Sequence, residues 1–148
     1  MRGHRRAALI AVGVLVFLAI SGALARWLSV ENVERSDVLA MLTAEARGDA
    51  AGMLAQLHDC AGRCRVLVRA DARALKRPGK VLILAYQSAT SYALTSRTGD
   101  TRVAWKVGTH LPVVQCVAVS RRGNALSGLT VRLLAVGLKI PPTHDCPG

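Results

Sequence analysis

The triplet His-Asp-Cys occurs twice, at residues 58–60 and 144–146, and a further thiol, Cys64, follows the first copy by four positions. Imidazole and thiolate are what zinc takes in tetrahedral sites, so these triplets are the first place to look for a metal. Structural zinc sites pair their ligands as C-x2-C or H-x3-H, and neither spacing is present. Cys60-x3-Cys64 also lacks the C-x-x-C spacing of redox-active pairs, and it is expected to follow a helix C-terminus, which disfavours a thiolate. A structural role is the better expectation. Cys60, Cys64, Cys116 and Cys146 form an even set beyond a hydrophobic segment, which reads as two disulfides with three pairings open. Cys60–Cys64 would close a loop after the helices, and Cys116–Cys146 would tie the tail to a strand; these two are favoured. No metal and no cofactor is expected.

Nucleophilic catalysis needs Ser or Cys beside a His and an orienting carboxylate. Ser88, Ser91 and Ser96, with His58 and His110, offer the residue types, but no G-x-S-x-G surrounds any serine. An isomerase-type site would use a carboxylate raised in pKa by apolar surroundings, with Tyr or Asp as oxyanion donors. Asp49, Asp59, Tyr86 and Tyr92 are the candidates; Asp49 reads better as a helix cap and the tyrosines as sheet packing. The glycines are scattered at turns, so no phosphate loop is present. No catalytic residue is assigned.

What does stand out is charge. Twenty Lys+Arg oppose nine Asp+Glu. Arg63, Arg65, Arg69, Arg73, Lys76, Arg77 and Lys80 cluster, with only Asp71 among them. This run is either a solvated edge or a patch that docks on an anionic surface. Aromatic residues are 3% of the chain, too few for base-stacking platforms. An exported location further excludes nucleic acid, leaving a lipid bilayer, an envelope protein or an anionic polymer as partners. Nothing in the sequence sets an oligomeric state.

The location follows from residues 7–25, nineteen positions without a charge. A helix rising about 1.5 Å per residue nearly crosses a hydrocarbon core of about 30 Å with that length. Arg2, Arg5 and Arg6 precede it and place the N-terminus in the cytoplasm, while Trp27 suits the headgroup region of the far face. Three parts are expected: a basic head at 1–6, a transmembrane signal-anchor at 7–25, and an extracytoplasmic domain at 26–148. The run is longer than a typical signal h-region, which favours retention in the cell membrane as a single pass. Ala23-Leu24-Ala25 is nonetheless a signal-peptidase sequence, so cleavage at Ala25 and secretion is the rival.

Beyond the anchor, residues 30–47 read as an amphipathic helix with Val38, Leu39, Met41, Leu42 and Ala46 on one side and Glu34, Arg35 and Glu45 elsewhere. Ser36-Asp37 could cap a later start. Gly48-Asp49 is a stop followed by a cap for a second helix at 50–58, and the helical region is expected to end at residues 60–62. A short strand is predicted at 66–68. Further strands are predicted at 80–86, 91–96, 101–107, 113–120 and 129–140. Turns are placed at Pro78-Gly79, at Thr98-Gly99-Asp100 and over residues 121–124, with Pro141-Pro142 closing the last strand.

Helices followed by four or five antiparallel strands make an α+β layer. This order, with the broken helix at residues 46–54 (Ala-Arg-Gly-Asp-Ala-Ala-Gly-Met-Leu), resembles the membrane-anchored cystatin-like/NTF2-like α+β domain proteins of high-GC bacteria. The resemblance implies a helix and a short helix packed on a curved sheet. Members divide between isomerase- or dehydratase-like enzymes and plain binding modules, so the fold does not choose. The expectation is a non-enzymatic binding or assembly domain at the outer face of a membrane; the alternatives are a small cleft enzyme and a secreted protein. An enclosed apolar pocket holding a buried carboxylate would favour the enzyme, and a filled core the binder.

Overall fold

The computed structural model describes residues 2–124 and 127–147, with side chains from residue 7 onward, so the side chains of the basic head lie outside the described residues. Among the described residues the fold is α+β: three helices and a four-stranded antiparallel sheet. Helix α1 runs unbroken over Arg2–Arg47. The first proline is Pro78, so nothing in this stretch removes a backbone donor. Its first half is the apolar run, of mean hydropathy 2.6 and not buried by the protein, and among the described residues it is the one helix long and apolar enough to cross a membrane.

The second half of α1 enters the core. Val30, Glu34, Val38, Met41, Leu42, Glu45 and Ala46 are all buried. These positions recur at three- and four-residue steps, so Glu34 and Glu45 share the apolar face instead of lying off it as the residue types suggest. Ser36-Asp37 starts no helix, because the turn before it already supplies carbonyl acceptors for its amides. Gly48 ends α1 at φ 74°, with its N–H donating to Glu45 O and that of Asp49 to Ala44 O. This pair of bonds is a Schellman closure. Asp49 then caps α2 (Ala50–Gln56), its Oδ1 accepting from Gly52 N at 2.8 Å.

Helix α3 spans Arg63–Ala74, where the apolar pattern predicts a strand at 66–68. Three valine-type residues are too few to hold a ladder. The longer pattern is helical: Val68, Asp71, Ala72 and Leu75 are buried while arginines fill the outer side.

The sheet is a meander, β1 (Val81–Gln87), β2 (Arg97–Val107), β3 (Val113–Asn124) and β4 (Gly128–Val136), each paired with its neighbour in sequence. Residues 91–96 form no strand. They belong to the 88–96 loop, and Thr98-Gly99-Asp100 lies inside β2, paired with residues 118–120 of β3. Residues 121–124 extend β3 instead of turning, and Gly123, at φ 110°, passes so close to the Gly128 carbonyl that no side chain fits. The last strand stops at Val136, and the chain continues as a tail that bridges back from Ile140 to Val114.

All three helices pack on one face of the sheet, around Met41, Leu42, Met53, Val68, Val103, Trp105, Val117 and Leu133. The tail crosses the other face. Cys116–Cys146 fastens it there, aided by Arg102, which donates to the carbonyls of Pro142 and His144. Cys60–Cys64 closes the α2–α3 connection. Both favoured pairings are present. Replacing Cys116 and Cys146 by alanine is expected to cost about 3–4 kcal/mol by the loop-entropy relation, against about 2 for the shorter Cys60–Cys64 loop. Denaturant midpoints of the two double variants check the ranking.

Candidate functional site

Among the described residues two polar clusters lie inside the core, both built on α1. Glu34 is fully buried, and every lone-pair direction of its carboxylate meets a donor. Oε1 accepts from Tyr86 Oη at 2.8 Å and Thr101 Oγ1 at 2.9 Å. Oε2 accepts from Thr90 Oγ1 at 2.8 Å and from Arg121 through Nε at 3.1 Å and Nη2 at 2.8 Å. Burial pushes this carboxyl up, but the hydrogen bonds from Thr90, Tyr86, Arg121 and Ser88 outweigh it and hold the group below the ordinary glutamate value. The Tyr86 phenol is pushed well above its ordinary value by burial and by the neighbouring Glu34 charge. At neutral pH the cluster is a carboxylate wrapped by hydroxyls and one guanidinium. It fastens α1 to β1, the 88–96 loop, β2 and β3 at once.

Three turns further along, Glu45 meets Gln115, whose Nε2 donates to Oε1 at 2.8 Å while its Oε1 accepts from Trp105 Nε1 at 2.7 Å. Glu45 Oε2 and Asp71 Oδ2 are buried without a partner. Burial, only partly offset by the Gln115 hydrogen bond and reinforced by the Asp71 charge, pushes Glu45 up to about 7. Burial likewise pushes Asp71 up to about 6. A carboxyl with such a pKa is what an acid–base catalyst needs. Substrate would also need a way in. None of the grooves at the α1–α2 junction, beside Cys60 or along residues 20–31 is lined by Glu34, Glu45 or Asp71.

The residues singled out by type are scattered. Asp49 is the α2 cap, as its position implies. Asp59 is exposed, and Tyr92 projects into solvent instead of packing on the sheet. Tyr86 does pack, as the partner of Glu34. The two His-Asp-Cys triplets belong to separate disulfides, and among the described residues no group of three His, Cys, Asp or Glu could hold a metal. The pair follows the C-terminus of α2, as expected, and Cys64 in addition sits in the first turn of α3, a helix N-terminus that the sequence pattern does not predict.

On the surface, Arg65, Arg69 and Arg73 recur every fourth residue along the outer side of α3, with Arg63, Lys76 and Lys80 exposed nearby and Arg77 half-buried. Asp71, the one acid in this run, turns inward. Arg77 Nη1 donates to Leu111 O, and its own N–H to Ala46 O, which places this turn at the far end of α1 from the apolar run. At the near end, Leu94 of the 88–96 loop lines an apolar hollow of about 300 Å³ with Ile20, Ala23, Leu24 and Trp27.

Glu34, Glu45, Asp71 and Arg121 are the residues that reasoning by type passes over. The signal is nonetheless in the spacing: 34, 38, 41 and 45 form one helical stripe, and 113, 115, 117, 119 and 121 lie on one strand face. No family model, no curated protein and no solved structure matches the chain.

Proposed function

We propose that this chain is a non-catalytic binding domain, held at the outer face of a cell membrane by residues 7–25, which presents the α3 arginines to an anionic partner of the cell envelope. The observation that carries this reading is the polarity of α3: its single acid is buried and its arginines face outward. Among the described residues the one salt bridge is the buried Glu34–Arg121 pair, so no carboxylate is ion-paired with the stripe, and Asp59, which lines a groove with Arg65 and Arg69, is the one acid beside it there. The turn carrying Lys76, Arg77 and Lys80 lies at the end of α1 remote from the apolar run, which favours a protein or polymer over the headgroups around the anchor itself. Two disulfides support an oxidising compartment.

The test has two arms. In intact cells, a thiol reagent is expected to label the chain only after reduction, and the chain is expected to stay with the membrane in alkali. Reconstituted in vesicles, it is expected to bind polyglutamate in a salt-sensitive manner, and the triple variant Arg65→Glu/Arg69→Glu/Arg73→Glu to lose about tenfold in affinity. Four free thiols on a soluble cytoplasmic protein would overturn the location, and undiminished binding by the triple variant would overturn the site.

Secretion after cleavage at Ala25 is the second reading, and one observation favours it. The buried stripe of α1 begins at Val30, so a cut there leaves the core whole. A mature N-terminus at Arg26 in the medium would establish it.

A further inference from the structure

The 88–96 loop carries two large side chains that face away from the protein. Tyr92 is 83% exposed and Leu94 62% exposed, while Thr90 and Ala93 between and beside them are buried. The loop is not slack. Thr90 donates to Glu34, the Ala93 N–H donates to Thr90 O at 3.0 Å, and the Ser91 hydroxyl donates to Ser88 O. A segment this firmly held, with its small residues turned in and its apolar ones turned out, presents Tyr92 and Leu94 by construction.

Its neighbours say what it is presented to. Leu94 shares its hollow with Ile20, Ala23, Leu24 and Trp27, and Tyr92 shares the adjoining one with Trp27, Leu28 and Glu31. Ile20, Ala23 and Leu24 belong to the uncharged run, so the loop lies beside the last turns of the apolar helix and not above them. The same end of the sheet carries exposed Arg97 and Arg122, one on β2 and one on β3, where Arg97 pairs with Arg121. Aromatic and aliphatic side chains with arginines at the same end of the sheet suit the boundary between acyl chains and phosphates.

We propose that the 88–96 loop is a second membrane contact, with Leu94 and Tyr92 inserted into the outer leaflet of the bilayer that residues 7–25 span. The proposal rests on the anchored reading above. It adds that the domain is seated on the lipid at two points, α1 and the loop, and so has one fixed face toward the bilayer. Leu111, 80% exposed in the β2–β3 turn, lies at the opposite end and points away from it.

The test uses the full chain in vesicles of phosphatidylcholine and phosphatidylglycerol, with bromine on the lipid acyl chains as a short-range quencher. In a Trp27→Phe background, Leu94→Trp and Leu111→Trp each add one reporter at an exposed position; Trp105, buried in the core, gives a constant baseline. Bromolipid is expected to remove most of the emission added by Leu94→Trp and none of that added by Leu111→Trp. Retention of each variant in alkali-washed vesicles is measured alongside. A retained chain whose Leu94→Trp emission is unquenched overturns the loop contact and leaves the anchor standing. Failure of retention overturns the anchor and the loop contact together. Equal quenching at both positions overturns the fixed orientation.

Discussion

Glu34→Ala is expected to destabilise the domain by about 3–5 kcal/mol, because it strands the buried Arg121 guanidinium without a counter-charge. Both side chains are fully buried. Three hydroxyls, from Tyr86, Thr90 and Thr101, lose their acceptor in the same step. Nothing in the surrounding core replaces it, and Arg121 Nη1 is already without a partner. Arg121→Met is expected to cost less, since the hydroxyls still solvate the carboxylate; in that background the Glu34 carboxyl should titrate higher. The double variant Glu34→Met/Arg121→Met should recover part of the loss, because two apolar groups of similar volume leave no uncompensated charge. Denaturant unfolding of the full chain in detergent measures all three. A cost below about 1 kcal/mol for Glu34→Ala would mean that water reaches the pair.

Stability is expected to fall as pH rises from 5 to 8, opposite to the usual behaviour of carboxylates. Glu45 and Asp71 are both pushed up, to about 7 and about 6, from ordinary values of 4.5 and 3.8. The folded chain therefore holds their protons more tightly than the unfolded chain does. Their contribution is fully present below the unfolded values and is lost as pH rises through about 6 and then about 7. For Glu45 alone the loss is about 3 kcal/mol, at 1.36 kcal/mol per pH unit between the unfolded and folded values. Glu34 runs the other way: its lowered value contributes stability above 4.5 that is lost at more acid pH. The two trends leave an optimum on the acid side of neutrality. Glu45→Gln keeps an acceptor for Gln115 and removes the proton, so it should flatten the profile and exceed the parent in stability at pH 8. Thermal midpoints across the range decide; a parent profile flat from 5 to 8 would mean that Glu45 finds a compensating cation.

The first two helices, the Gly48-Asp49 break and an antiparallel sheet with sequence neighbours paired were legible because each rests on local chemistry, a glycine, a cap or an alternating run. Three features depended on distant partners and were not. Residues 66–68 carry strand-type side chains, yet the burial of Val68 and Asp71 against α1 and β4 makes them helical. Residues 91–96 alternate like a strand, but Thr90 is pulled to Glu34, fifty-six positions away. Arg121 sits in an Arg-Arg-Gly-Asn string that suggests a turn, and only its pairing with Glu34 explains an arginine at zero exposure. The outward-facing arginines of α3 were visible as a cluster, though their arrangement on a helix was not.

The unbroken α1 has a mechanical consequence. No flexible joint separates the apolar run from the core, and Glu34 lies only about 14 Å along the helix from Ala25 at about 1.5 Å per residue. A domain on a floppy leash sweeps a volume and captures whatever enters it. Here the stalk is continuous with the core, so any tilt of the apolar run turns the whole sheet with it; were it anchored, the domain would travel only by sliding in the plane of the membrane.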